Sequence, residues 1–575
     1  MFINIKKKMM KKTIYGAIAG CALGLVSCAQ IDIEPLSQPT KETWYKNAKE
    51  IRMSTDALYS YKQWILESKN PFNLDTWTDD WFQNGAIADP GPTGNLASDL
   101  ALIVNYWKTT YGAINNANII IESCSRLADS AEATEISQIE GEAKFLRATF
   151  YSYILFFWGD CPYYTGDITI SEAEAMGRTP KEEVLRKIYQ DYDEAYELLP
   201  ETNIGKACKS TVAPFKARVA LWMGDWRTAA DEAWKCIESK AYSLDKSFAD
   251  VTSPDSNSEE WILTLKRSAS LDNSSRFPTT NYVPRIVSGY TGNRGPSWEL
   301  LLSFLCTDGL PVDKSPLYDP HNPFRNRDPR CAETIVPFGE VFLGFEYNPG
   351  KEKVLNVATG KKVKNSSSPL VDNGAPTSAL HLKKGVDETW IDDKYAENQV
   401  PVLRFADVLL TYAEAKVELG EIDDSVLKAI NDVRSRAYNG TGITAPKVET
   451  KDQAELRSQI RFERRMEFAF ENKRYFDIIR WRLAETCMNR PMYQCLQGVV
   501  KDSDLSKQVA SGDFFFTNKA LPIVDENALV DVKPLLATGT IRQHIARSFP
   551  KRQYLFPIPV YDIMTAPAMK QNDGY

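Results

Sequence analysis

The sequence predicts a mostly α fold in which repeated helical hairpins pack against a loop-rich region with short strands. Three observations carry this reading. Apolar residues recur at three- and four-residue spacing through both ends of the chain. Two helical stretches meet across Gly224-Asp225 with alanines on their facing sides. Between 242 and 398 the helical period disappears, while Gly, Pro, Asn and Ser become frequent.

The first element is a leader. Lys6, Lys7, Lys8, Lys11 and Lys12 form a positive stretch, and the apolar run from Tyr15 to Val26 is too short to cross a bilayer as a stable helix. It closes on Leu25-Val26-Ser27-Cys28, a small residue directly ahead of a cysteine. This is a secretion signal, and the pattern resembles a bacterial lipoprotein signal that is cut before Cys28, with a diacylglycerol on the thiol and an acyl chain on the new amino terminus. At ~0.8 kcal/mol per buried methylene, more than one chain makes membrane attachment effectively permanent. The ordinary alternative is a signal peptide in which Cys28 is incidental.

Residues 29–40, with Pro35 and Pro39, read as an extended spacer. Helices are then expected over 42–67, 100–126 and 136–157, the last with Phe145, Leu146, Phe150, Tyr153, Ile154 and Phe157 on one stripe. Between the first two lies an aromatic loop, 68–99, carrying Trp77, Trp81 and Phe82 among prolines and glycines. Further helices are expected over 181–199, stopped by Pro200, and over 213–223 and 226–239. Gly224 is placed to end one of these in the left-handed conformation and Asp225 to cap the next. The plan returns at 404–419, Gly420 and 425–436, and again at 454–470 and 474–484. Such hairpins resemble tetratricopeptide units, although the full repeat signature is absent, and four of them are expected. The insert between 242 and 398 reads as long loops with short strands and helices, and loops of that length inside a compact fold are uncommon and usually functional.

Charge and cysteines exclude several classes. The whole chain carries −7, and loss of residues 1–27 removes five lysines and no acid, leaving −12. Such a field repels nucleic acid, and no long basic run survives. Eight cysteines follow Cys28 without a CxxC, so neither a zinc signature nor a dense disulfide scaffold is present and buried thiols are expected; only Cys487 and Cys495 are near enough in sequence to close a small loop. His321, His381 and His544 sit in no recognisable catalytic arrangement. Asp79-Asp80 and Asp392-Asp393 are the carboxylate pairs a glycosidase could use, but adjacent acids on an acidic chain read first as solvated loops. No cofactor is expected; a structural calcium is compatible with such loops, but no EF-hand spacing marks one.

Several motifs, in order and over nearly the whole chain, resemble the SusD/RagB family of outer-membrane nutrient-binding lipoproteins. They are Trp107, Tyr111, Ile114 and Asn118; GEAKFLRATFYSYILFFWGDCPYY from Gly141; Arg178-Thr179-Pro180; and ARVALWMGDWRTAADEA from Ala217. They continue with Asp308-Gly309, Asn326 to Arg330, LRFADVLLTYAEAKVELG from Leu403, Ile430 to Arg436, RFERRMEFAFENKRYFDIIRW from Arg461, YLFPIPVYDI from Tyr554, and Gln571 to Tyr575. Physically most of these read as scaffold. Arg461 and Arg465 are like charges four apart that need partners elsewhere, with Glu414, Glu463, Glu467 and Asp477 as candidates for an interhelical network. Trp158-Gly159-Asp160 and residues 554–559 read as packing elements.

The resemblance implies a signal peptide over 1–27 and one domain over 28–575, with helical parts at 28–240 and 401–575 and a loop-rich ligand-side insert at 241–400. It implies a glycan-binding, non-enzymatic lipoprotein on the cell surface, held in outer-membrane lipid through Cys28. That protein would pass oligosaccharides to a SusC-like TonB-dependent transporter. It places the site in the loops of two regions without naming contacts. Loop aromatics with polar neighbours supply the candidates: Trp77, Trp81 and Phe82, then Asn281, Tyr282, Tyr290, Asn293, Arg294 and Trp298, because sugars stack C–H faces on rings and take hydrogen bonds from Asn and Arg. For each ring alone the competing role is to anchor its own loop. The alternatives are a peptide-binding member of the family, a surface glycosidase, or a helical scaffold for another envelope protein.

Overall fold

Helix-favouring stripes and caps set the body of the molecule. The computed structural model describes residues 44–575 apart from 61, 65–73, 88, 167, 204, 254–257, 269, 271–276, 288–289, 370, 373, 393–394, 398, 495–519 and 538–540. Cys28, the spacer and Cys495 therefore lie outside the described residues. Helix α1 (Ala48–Leu58) starts where Asn47 accepts the Glu50 N–H. It is shorter than the predicted 42–67, because the chain turns at Tyr59 and Trp64 folds back to donate its indole N–H to Leu58 O at 3.0 Å.

Helices α2 (Ala101–Arg126), α3 (Ala133–Trp158), α4 (Lys181–Leu198), α5 (Lys209–Met223) and α6 (Trp226–Ser239) follow at the expected places. Gly224 has φ +76°, and its turn closes as a Schellman motif: Gly224 N–H donates to Leu221 O and Asp225 N–H to Ala220 O. The Asp225 carboxylate then accepts the Thr228 N–H at 3.2 Å. Ala220, Ala229 and Ala230 let α5 and α6 close on Ala415 of α7 (Phe405–Glu418), and Gly420 at φ +72° turns the chain into α8 (Asp424–Tyr438). The last body helices are α9 (Gln453–Glu467) and α10 (Arg474–Arg480). The helix expected over 474–484 stops at Arg480, and a separate short helix, Ala484–Met488, begins where it was to end. Arg482 takes φ +58°, with its N–H on Ile479 O and the Leu483 N–H on Ile478 O, so the same Schellman turn ends α10. No helix among the described residues is long and apolar enough to cross a membrane.

Residues 554–572 close this body. Trp158 donates its indole N–H to Pro557 O, and the Asn572 amide donates to the carbonyls of Trp158 and Phe556. This is the packing role expected of both segments.

The insert is closed at its base. Strand β2 (Trp261–Leu265) pairs antiparallel with β8 (Val400–Arg404), so the insert leaves and re-enters the body side by side. Within it, β4 (Val341–Phe342), β5 (Phe345–Glu346), β6 (Lys353–Asn356) and β7 (Lys361–Lys364) form a small antiparallel sheet.

The charges of α9 are buried in the expected network. Glu467 pairs with Arg330, Arg404 and Arg436, Glu463 with Arg330 and Arg434, Glu414 with Arg480, and Asp477 with Arg464 and Arg480. The two arginines that prompted the prediction find other partners. Arg465 pairs with Asp80 at 2.6 Å and Asp79 at 3.0 Å, while Arg461 hydrogen-bonds Asn527 and lies over the Trp481 ring. Asp79 and Asp80 are therefore not a solvated pair. Burial alone would raise Asp79, but Arg465 and the bidentate Arg474 hold it well below the usual carboxylate range. The seven described cysteines are buried thiols.

Candidate functional site

Two loops far apart in sequence become one surface. Strand β1 (Trp81–Gln83) pairs antiparallel with β3 (Arg294–Pro296), in the register Trp81 to Pro296, Phe82 to Gly295 and Gln83 to Arg294. The ladder continues through Asn84 N–H to Asn293 O at 2.8 Å. Gly295 is required because a Cβ there would lie 2.6 Å from Leu380 O.

Two of the candidate rings, Trp81 and Phe82, belong to this ladder, and the other four are divided among three buried clusters. Trp77, Trp81, Phe82, Tyr282, Tyr290 and Trp298 are all buried, and none presents a face to solvent. Trp77 packs on Gly91 and edge-on to Tyr475 in the body core. Trp81, Phe82, Tyr282 and Trp298 join Met466 and Phe470 in a second core, where Trp298 donates its N–H to Ser378 O at 2.8 Å. Tyr290 packs with Val283, Val287 and Trp390, and its hydroxyl donates to Trp390 O. The stacking platform expected of these six is thus replaced by anchoring: the rings are buried in the core, several of them against residues of α9 and α10, and so hold their loops in shape.

The polar candidates stand at the surface. Asn281, Asn293 and Arg294 are half-buried, and the Arg294 guanidinium lies 5.5 Å from the centre of the Trp81 ring. Burial raises the Asp89 carboxyl, and the nearby Arg294 charge opposes that rise. Two amides, a guanidinium and a carboxyl over an aromatic floor form a set of donors and acceptors suited to hydroxyl groups.

Two further residues were not predicted. Asn84 ties a third segment to the ladder: its amide donates to Ala375 O at 2.6 Å, and its Oδ1 accepts from Thr377. The dipeptide Asn84-Gly85, with Gly85 at φ +78°, is the turn signal that marks it. Tyr395 is 45% exposed and follows the Trp390 loop that Tyr290 anchors. Its signal is an aromatic set among charges, Asp392-Asp393-Lys394-Tyr395. Among the described residues no group of three or more His, Cys, Asp or Glu is placed to hold a metal.

A helical-repeat scaffold presenting loops tied into one surface is the class this geometry defines. Residues 259–575 match the family described as the SusD family, and residues 42–221 match the one described as starch-binding associating with outer membrane. SusD-like protein P25 of Formosa agariphila is 27% identical over 501 residues, 79% of this chain and 87% of its own length; SusD-like protein P2 of the same organism is 26% identical over 487 residues. Among solved structures, a SusD-like carbohydrate binding protein from Bacteroides fragilis NCTC 9343 superposes with a TM-score of 0.72 at 24% identity, covering 92% of this chain and 100% of its own. A laminarin binding SusD-like protein superposes at 0.62 with 17% identity, covering 92% and 100%. The chain belongs to the SusD family.

Proposed function

We propose that the protein binds an oligosaccharide on the β1–β3 surface and delivers it, without making or breaking a bond, to a SusC-like TonB-dependent transporter in the outer membrane, to which Cys28 tethers it by lipid. The observation that carries the binding site is the pairing of β1 with β3, which gathers Asn281, Asn293 and Arg294 over the buried Trp81 and Tyr282. Tyr395 supplies an exposed ring for stacking on a sugar face. Relatives described as carbohydrate-binding or laminarin-binding support the ligand class, and the lipobox supports the anchor.

Calorimetric titration of the soluble body with α- and β-glucan oligosaccharides tests the reading. Arg294→Ala and Asn293→Ala should each weaken binding by roughly tenfold with the melting temperature unchanged, the loss expected for a hydrogen bond to a charged or amide group. Binding of no glycan, or normal binding by both variants, refutes the site. For the anchor, Cys28→Ala should leave the outer-membrane fraction; retention there as mature protein overturns lipidation.

A further inference from the structure

A concavity lies away from the tied loops. Between the α5–α6 turn, the end of α10 and residues 551–574 runs a cleft of about 890 Å³. Its floor is apolar, with Phe156 and Trp222 buried and Met223 and Trp226 half-buried along one wall. Its rim is cationic. Arg178, Lys181, Arg482, Lys551 and Arg552 line it, against two lining carboxylates, Asp160 and Asp573.

These cations are placed but not neutralised. Arg178 donates to the carbonyls of Trp158, Asp160 and Lys570 and to Asn572 Oδ1, and Arg552 donates to the carbonyls of Gly94 and Gly574. Neutral acceptors fix a guanidinium without cancelling its charge. Among the described residues the Lys181 ammonium meets the exposed Glu182 at 3.9 Å. By contrast Arg480, at the back of the cleft, is bound to Glu414 and Asp477.

Arg482 is the most telling of the five. The turns at Gly224, Gly420 and Arg482 close with the same pair of backbone hydrogen bonds, and the left-handed residue is glycine in the first two. At the third the chain keeps an arginine where glycine is favoured, with its guanidinium 4.4 Å from the Tyr554 ring centre at the cleft. Strain of this kind is retained where the side chain is needed.

We propose that this cleft docks a segment of a partner protein in which carboxylates alternate with apolar side chains. The floor takes the apolar groups and the five cations take the acids, on a chain whose net charge of −7 would otherwise repel such a segment. The docking is separate from glycan binding and uses none of its residues.

The test is fluorescence anisotropy with the soluble mature protein and a labelled peptide alternating Glu or Asp with Leu and Phe, beside a Gln/Asn version of it. The acidic peptide should bind, weaken with added salt, and lose roughly tenfold or more in affinity with Lys551→Glu. Arg482→Gly is the decisive variant: it relieves the turn, so the melting temperature should hold or rise while peptide binding falls. Equal binding of the acidic and neutral peptides, no binding of either, or unchanged binding by Arg482→Gly overturns the proposal. So does displacement of the peptide by polygalacturonate at matched charge, which would make the cleft a polyanion site and not a peptide site.

Discussion

In the helical body, large rings and paired charges lie on stripes that repeat with the helix; in the loops around β1 and β3, equally large rings are buried with no repeat at all. Phe145, Phe150 and Phe157 of α3 share the same degree of burial with Trp81 of β1 and with Tyr282 and Trp298, which sit on short helices of the loop-rich regions. The difference is in what covers them. A body helix buries a continuous stripe against its neighbours, whereas the rings around β1 and β3 reach the core one at a time, beside Met466 and Phe470, and pairings such as Trp81 with Pro296 hold their segments closed. Aromatic content in a loop is thus a measure of how firmly the loop is held, and the candidate groups left at the surface are the polar ones.

The strongest test of this contrast removes one anchor from each region. Glu467→Ala leaves Arg404 and Arg436 with an incomplete set of carboxylates in the body core, and Trp298→Ala empties the second core under the loops. Each should cost about 3–5 kcal/mol in chemical denaturation. Trp298→Ala should lose glycan binding only in step with unfolding; a stable Trp298→Ala protein that fails to bind would return this ring to direct ligand contact.

The seam between the regions is predicted to titrate. Burial pushes the Asp75 carboxyl up to about 8, opposed by the Asn472 N–H that it accepts, and burial also lifts Glu299 to about 7 against the Arg547 charge. An unfolded aspartate loses its proton near ~3.9, so between about pH 4 and 8 the folded state holds the extra proton and stability falls as pH rises. Asp75→Asn should flatten that slope by up to about 1.4 kcal/mol per pH unit. An unchanged slope between pH 5 and 8 would show that Asp75 is ionised in the folded protein.

The smallest expected effect belongs to the body's turns. Gly224→Val should destabilise by about 1–2 kcal/mol and Gly224→Asn by less, because asparagine tolerates the left-handed conformation. Equal melting temperatures would mean that the α5–α6 turn relaxes to another shape.

Most of the body was legible because its signals are local. Gly224 and Gly420 mark their turns, Asp225 its cap, and the alanines their close contact. The Arg482 turn was hidden, since arginine reads as a residue that continues a helix. The partners of Arg465 were hidden for another reason: Asp80 lies 385 residues away in sequence, and charge pairing over that span leaves no pattern in a single chain. At the site, the two contributing loops were visible as aromatic-bearing breaks in the helical period, but which rings face inward was not. That choice is made by β1–β3 pairing and by Gly295 against Leu380, both of which exist only in three dimensions.

The bond from Trp158 to Pro557 spans 399 residues, and that from Asn572 to Trp158 spans 414. A chain threaded through a secretion channel from its amino end delivers α2 and α3 long before the residues that cover them. If the protein is exported as proposed, the face of α3 that holds Phe157 and Trp158 waits, wet and adhesive, through most of translocation. Helical hairpins are expected to form early from local contacts, while the core seals in one late step. On the proposed export route, secretion of this protein becomes a race between completion of the chain and self-association of its first half.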